Sequence, residues 1–150
     1  MTAALKVGIV SYGYAGKTFH APLIAGVPGL QWVAVSSSDA ARVHADWPGL
    51  DVHDPPEAPI ARPDNDLIVI VIATPNATHL AVAQAALQAG KHVVVDKPFT
   101  LTLVEAQQLY RRAGQRQGTR AVGVPQLLLL IRPSNSIKPR TSRTGLGRSF

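Results

Sequence analysis

The chain has 150 residues, 46% of them hydrophobic, no cysteine and a formal net charge of +6. This length suits one domain with a real hydrophobic core, and the lack of cysteine excludes disulfide and thiolate chemistry. No metal site is predicted either, because metal-ligand spacing is missing among the five histidines, which are His20, His44, His53, His79 and His92.

The positive charge is confined to the C-terminal part of the chain. Residues 1–110 carry six Lys/Arg against nine Asp/Glu, whereas residues 111–150 carry nine Lys/Arg and no acid. A basic segment can bind nucleic acid or acidic lipid, but this one has only Phe150 as an aromatic residue and no helical periodicity. We therefore expect neither a nucleic-acid nor a membrane partner. With no signal-peptide layout and no apolar run of about 20 residues, we expect a cytoplasmic location.

A short apolar strand is predicted over residues 5–10, followed by a helix over about residues 17–26. The turn between them has the spaced-glycine pattern that binds dinucleotides, with serine in place of the first glycine. The second glycine lets the backbone approach a pyrophosphate, and the third lets the helix pack closely on the strand. A positive φ at the serine would carry a steric cost. The predicted cofactor-binding residues of this turn are Ser11, Gly13, Tyr14, Ala15 and Gly16.

A second interpretation of the same turn remains open. Gly16, Lys17 and Thr18 also resemble the end of a phosphate-binding P-loop, with Asp96 as the acid that holds a metal. A P-loop is usually longer and richer in glycine than six residues directly after a strand. A nucleotide hydrolase is therefore the less favoured alternative.

The next predicted strand, residues 31–36, ends in three serines, and a helix follows over residues 39–46. NAD-specific folds usually place an acid at this strand end, about 20 residues after the glycine turn. Asp39 is better placed to cap the helix, and Arg42 lies one turn into it. We predict that Ser36, Ser37 and Arg42 contact the cofactor. NADP(H) should then bind at least as tightly as NAD(H).

A short strand near Val52 leads into residues 51–66, where four prolines leave little room for a helix. A buried strand follows at residues 67–73, and a helix at residues 78–89. Between them, Thr74, Pro75, Asn76 and His79 are predicted to contact the cofactor. Thr78 or Asn76 is also predicted to cap the helix.

The last predicted strand, residues 92–96, is an apolar run that ends in Asp96, Lys97 and Pro98. Ligands of open α/β sheets bind beyond the carboxyl ends of the strands, so Asp96 and Lys97 are predicted to lie at the site. A helix over residues 103–116 begins with a capping box of Thr102 and Glu105. Strands that alternate with helices predict an α/β fold with a doubly wound parallel sheet.

Three segments together, residues 11–16, 73–79 and 90–98, resemble the N-terminal half of the glucose–fructose oxidoreductase/inositol dehydrogenase (Gfo/Idh/MocA) family. Residues 12–23 are similar to a bacterial subgroup of oxidoreductases within it. The resemblance covers about residues 5–120 and implies a Rossmann-type fold with an NAD(P) cofactor. In the family a mostly antiparallel α+β domain follows, which closes the substrate site and makes the oligomer contacts. That domain is absent from this sequence, so an oligomer is not expected.

The resemblance implies hydride transfer between the nicotinamide and the carbinol carbon of a sugar- or polyol-like substrate. It places Lys97 beside the nicotinamide as the catalytic acid–base group, with Asp96 where many relatives have Glu. Because the family's other catalytic residues lie in the second domain, we expect this chain to bind the cofactor and to be inactive alone. A dinucleotide-binding module without enzymatic activity is the alternative.

After Gly118 the sequence departs from the family. A one-base shift of a possible coding sequence for residues 121–126 reads Leu-Ser-Val-Phe-His, which resembles the strand found in relatives at this point. We therefore predict a Rossmann domain at residues 1–118 and a loosely attached basic tail at residues 119–150, translated out of frame. The alternative is a genuinely divergent C-terminus, which the nucleotide sequence would distinguish.

Overall fold

One parallel sheet of six strands organises the protein, seen in a computed structural model that describes residues 3–55, 57–63, 69–115 and the backbone of 121–123. The strands are β1 (Leu5–Val10), β2 (Leu30–Ser36), β3 (Asp51–His53), β4 (Val69–Ile72), β5 (His92–Val95) and β6 (Ala121–Gly123). Their order in the sheet is β3-β2-β1-β4-β5-β6, and every pair is parallel. The direction of winding reverses between β1 and β4, which is where such sheets open a ligand crevice. The predicted doubly wound α/β fold is confirmed.

Helices connect the strands on both faces of the sheet. They are α1 (Ala21–Gly26), α2 (Ala40–Asp46), α3 (Glu57–Ile60), α4 (His79–Gln88) and α5 (Leu103–Gln115). A π-helical turn (Gly16–His20) runs directly into α1, and a 3-10 turn (Asn76–Thr78) runs into α4. None of the helices in the described part of the chain has the length and apolar character of a membrane span.

The central strand β4 is buried on both faces. Along β4, Ile70 and Ile72 pack into a core cluster with residues of α4 and α5, while Val69 and Val71 pack on the opposite face with residues of α1 and α2. All four of these side chains are buried. This two-sided burial explains why the strand reads as a continuous apolar run without alternation.

Several local predictions are confirmed at the helix ends. The Asp39 carboxylate accepts the N–H of Arg42 (2.9 Å) and caps α2. At the start of α5, Thr102 accepts the Glu105 N–H and Glu105 accepts the Thr102 N–H, which is the predicted capping box. Gly90, with φ +80°, ends α4 as predicted.

Other local predictions are wrong or incomplete. The proline-rich stretch does form a one-turn helix, α3, because Pro59 lies in the first turn, where a missing N–H costs nothing. Neither Asn76 nor Thr78 caps α4 with its side chain, since the Thr78 hydroxyl lies 2.7 Å from the Pro75 carbonyl instead. Beyond the boundary expected at residue 118, β6 pairs with β5. The rest of the proposed tail lies outside the described residues.

Candidate functional site

The turn after β1 is built so that the backbone comes close to itself. Ser11 adopts φ +83° and donates its N–H to the buried hydroxyl of Ser36 (3.0 Å). A Cβ on Gly16 would overlap the carbonyl oxygen of Ser11, so only glycine fits there. A Cβ on Gly13 would meet only the Ser11 hydroxyl, at 3.5 Å, so this side of the backbone stays open. The predicted steric cost at Ser11 and the close approach at Gly16 are therefore present.

A polar cluster that the sequence did not predict fastens this turn to α2. The buried Tyr12 donates its hydroxyl to Asp46 (3.0 Å) and accepts the indole N–H of Trp47 (2.9 Å). Lys17 forms an ion pair with the same carboxylate, at 2.7 Å. The hydrogen bond from Lys17, followed by that from Tyr12, lowers the pKa of Asp46 below its usual value. Burial, with the Asp46 contact adding to it, raises the pKa of Tyr12.

The position of Lys17 argues against the P-loop interpretation. In a P-loop this lysine reaches the β- and γ-phosphates. Here its ammonium group is paired with Asp46 behind the turn, and the residue is not among those lining the adjoining cleft.

A cleft of about 590 Å³ opens at the carboxyl ends of β1, β2 and β4. The predicted site residues that line it are Ser11, Gly13, Ser36, Ser37, Arg42, Thr74 and Pro75. The lining also includes residues not predicted as site residues, namely Tyr12, Ser38, Asp39, Asp54, Glu57, Thr78, Ala81 and Val82. The structure thus brings together site residues from the ends of β1, β2 and β4. The charged groups around them are the guanidinium of Arg42 and three carboxylates. Asp54 and Glu57 follow β3, and nothing in their sequence spacing marked them.

The remaining predicted site residues lie outside this cleft. They are Tyr14, Ala15, Gly16, Asn76, His79, Asp96 and Lys97. Tyr14 is 74% exposed and stands edge-on to Phe19, with ring centroids 5.7 Å apart. Its side chain is therefore accessible from outside the turn.

Asp96 and Lys97 lie at the carboxyl edge of the sheet, as predicted, and form a corner after β5. The Asp96 N–H extends the pairing with β4 by donating to the Ile72 carbonyl (2.9 Å). One oxygen of the Asp96 carboxylate accepts the Lys97 N–H (2.8 Å), and the other lies 3.6 Å from Nε2 of the buried His20. Lys97 itself is exposed, and its peptide bond to Pro98 is cis. The corner therefore combines a fixed backbone with an accessible amine.

His79 differs from its predicted role. Its side chain is 1% exposed, and both ring nitrogens lie 2.8 Å from backbone carbonyl oxygens, of Pro98 and of Thr74. A ring enclosed in this way has no free polar atom for a direct cofactor contact. The Ser36 hydroxyl accepts the Ser11 N–H, which leaves its own O–H available to donate.

Comparison with known proteins finds relatives that are named as oxidoreductases or dehydrogenases. An uncharacterised oxidoreductase, YdgJ of Escherichia coli K12, is 56% identical over 109 residues, which are 73% of this chain and 31% of that protein. The scyllo-inositol 2-dehydrogenase (NADP(+)) IolW of Bacillus subtilis is 35% identical over 113 residues, 75% of this chain and 31% of that protein. The chain thus spans about a third of the length of these curated relatives.

Solved structures match the same region. YPO2259 of Yersinia pestis superposes with a TM-score of 0.77 at 53% identity, over 82% of this chain and 34% of that one. GenD2 from gentamicin A biosynthesis, solved in complex with NAD, superposes with a TM-score of 0.73 at 28% identity, over 82% of this chain and 35% of that one.

The family profile matches residues 5–124, past the point at which the resemblance was expected to end. It is that of an oxidoreductase family with an NAD-binding Rossmann fold. The match covers the glycine turn, the cleft and the Asp96–Lys97 corner. The chain therefore belongs to the Gfo/Idh/MocA family of oxidoreductases.

Proposed function

We propose that this chain is the cofactor-binding part of an NAD(P)-dependent oxidoreductase. The observation that carries the proposal is the glycine turn beside the cleft, with an open backbone at Gly13 and a close approach at Gly16. The cleft lining would hold the adenosine half of the cofactor, and the open backbone at Gly13 would hold its pyrophosphate. The nicotinamide then extends toward the corner at Lys97, along the carboxyl edge of the sheet.

The bound cofactor supplies a hydride acceptor or donor, and the chain supplies the group that handles the proton. Lys97 has the exposed amine that could hold the proton of a substrate hydroxyl while hydride moves from or to the same carbon. Its backbone N–H is fixed by the Asp96 carboxylate. The proposed substrate is of the sugar or polyol class. The name of the relative IolW, scyllo-inositol 2-dehydrogenase (NADP(+)), supports this proposal.

We further propose that the isolated chain binds the cofactor without turning over a substrate. The matched part of this chain covers about a third of the length of each of these relatives, and Lys97 is exposed. The substrate pocket therefore needs residues beyond those that this structure describes.

The cofactor preference is proposed to be for NADP(H), or equal for both forms. Arg42 lines the cleft and is exposed, so its guanidinium can pair with a 2′-phosphate. Asp39, the nearest carboxylate in sequence, is already engaged in capping α2. Asp54 and Glu57 also line the cleft and oppose this preference, which limits its size.

The test is a fluorescence titration of the chain with NADH and with NADPH, followed by competition with ATP. Saturable binding of a reduced cofactor, with ATP a weak competitor, is the expected result. Gly13→Val is the matched variant, because its side chain fills the space that the pyrophosphate needs while leaving the core untouched. Tight ATP binding together with no NAD(P)H binding, or cofactor binding that persists in Gly13→Val, would contradict the proposal.

A further inference from the structure

His79 joins two loops that carry the corner and the neighbouring strand end. The residue begins α4, and its ring lies between the loop after β4 and the loop after β5. Nδ1 is 2.8 Å from the carbonyl oxygen of Pro98, and Nε2 is 2.8 Å from that of Thr74. With the side chain 1% exposed, both contacts are shielded from solvent.

Both atoms that face the ring nitrogens are carbonyl oxygens, so a hydrogen bond to either one needs an N–H on the ring. A neutral imidazole carries one N–H and satisfies one carbonyl, whereas an imidazolium donates to both. An amide side chain carries both of its N–H donors on one nitrogen, whereas the imidazole ring contacts the two carbonyls through two separate nitrogens. The ring is therefore suited to link the two loops rather than to contact a ligand.

Among the described residues, no main-chain hydrogen bond connects the two loops beyond Asp96. The last main-chain hydrogen bond between the strand extensions is that from the Asp96 N–H to the Ile72 carbonyl (2.9 Å). The contacts of His79 continue the connection two residues further along, at Pro98. Lys97 lies between these two attachment points, so the root of its side chain is fixed from both sides.

We propose that His79 is a positioning residue, which ties Thr74 to Pro98 and thereby sets the place of Lys97 at the nicotinamide end of the site. The statement that Lys97 stands at the nicotinamide end rests on the proposed function. The contacts of His79 with Thr74 and Pro98 do not. His79 acts through Pro98 and touches neither cofactor nor substrate.

The test compares two ligands that share the adenosine end. NADH carries the nicotinamide that reaches the corner, whereas ADP-ribose lacks it. In His79→Gln and His79→Asn the amide can donate to only one of the two carbonyls. We expect NADH affinity to fall by about five- to tenfold and ADP-ribose affinity to stay within about twofold, in protein that still unfolds cooperatively. His44→Gln is the matched control, because His44 also contacts a backbone carbonyl (Leu50, 3.0 Å) but is exposed on α2.

An unchanged ratio of NADH to ADP-ribose affinity in folded His79 variants would overturn the proposal. A merely structural role would lower the unfolding temperature without changing that ratio. If neither variant folds, hydrogen exchange of the ring N–H in ¹⁵N-histidine-labelled wild type decides, since a tied ring exchanges far more slowly than that of His44. Equally fast exchange at the two residues would refute the tie. Wild type that binds neither ligand contradicts the proposed function instead, and the ring exchange still tests His79.

Discussion

The two ends of the candidate site are built in different ways. At the glycine turn, the cleft has walls from three strand ends, and the turn is held by the Ser11–Ser36 hydrogen bond and by the Tyr12–Asp46 contact. At the corner after β5, only the backbone of Lys97 is held, and its side chain is exposed. The described part of this chain can therefore enclose the adenosine half of a cofactor, but it presents the reactive end without a cover. Binding and chemistry should separate when each end is altered alone.

The corner after β5 is the open end of the site, and the glycine turn is its closed end. Substitution of Lys97 tests the open end and carries the largest expected effect. In this chain fused to the remaining part of a relative, Lys97→Ala should reduce the hydride-transfer rate by about 10²–10⁴-fold, because acid–base groups commonly contribute that much. Cofactor affinity of the unfused chain should fall only modestly, by no more than the five- to tenfold expected of the His79 variants, since the contacts at Gly13 and Gly16 dominate. Stopped-flow measurement of NAD(P)H formation and a binding titration give the two quantities.

Two further variants separate the possible roles of this residue. Lys97→Arg keeps the positive charge but cannot give up a proton, so it should be nearly as slow as Lys97→Ala. Arg111→Ala, an exposed cation on α5, should leave the rate unchanged. Full activity of Lys97→Ala would show that the exposed ammonium group of Lys97 takes no part in the chemistry.

Substitution of Gly16 tests the closed end. In Gly16→Ala the new methyl group would overlap the backbone carbonyl of Ser11, which cannot move without breaking the turn. Overpacking of this kind costs about 1–3 kcal/mol of the free energy of unfolding, and cofactor affinity should fall with it. Urea unfolding monitored by circular dichroism measures the loss.

The control for this variant is Gly114→Ala. Gly114 lies within α5 with nothing near the position of a Cβ, so alanine should be neutral or stabilise by up to about 1 kcal/mol. Equal effects of the two variants would show that the close approach at Gly16 is not what holds the turn.

Local features were more predictable from the sequence than contacts between distant elements, for a physical reason. The glycine spacing, the strand ends and the Asp39 cap are local features, and each depends on residues a few positions apart. The contact of His20 with Asp96 joins residues 76 positions apart, and the Tyr12–Asp46 hydrogen bond joins residues 34 apart. No pattern in one sequence encodes such pairings, because they depend on how helices dock on the sheet.

The errors at particular residues follow the same logic. Thr78 has a side chain suited to capping, but the 3-10 turn before α4 directs its hydroxyl back to Pro75. His79 was predicted to contact the cofactor because it stands at a strand–helix junction. The structure instead turns its ring under the corner, where two carbonyls take both nitrogens.

Arg42 offers a smaller change at the closed end. If its guanidinium binds the 2′-phosphate, Arg42→Ala should weaken NADPH binding by about tenfold and leave NADH binding unchanged. Parallel fluorescence titrations measure both affinities. A clear preference for NADH that is the same in wild type and in Arg42→Ala would show that Asp39 reads the ribose. In that case Asp39→Ser, which keeps a capping oxygen, should weaken NADH binding selectively.

The polar cluster behind the turn gives the smallest expected effect, which appears only as a dependence on pH. The Lys17 ammonium, followed by the Tyr12 hydroxyl, lowers the pKa of Asp46 from its ordinary value of 3.8. A carboxyl whose pKa is lower in the folded state stabilises the fold above the ordinary value, and this contribution disappears as the pH falls through the lowered one. Asp46→Asn should therefore lose less stability than wild type on acidification below about pH 4, as measured by thermal unfolding.

The pKa of Tyr12 is raised from 10.0 by burial and by Asp46, so its contribution is present below pH 10 and is lost above it. Tyr12→Phe should flatten the alkaline side of the profile and also part of the acid side, because it removes one of the hydrogen bonds that lower the pKa of Asp46. Parallel profiles in wild type and both variants would show that the cluster does not fasten the turn.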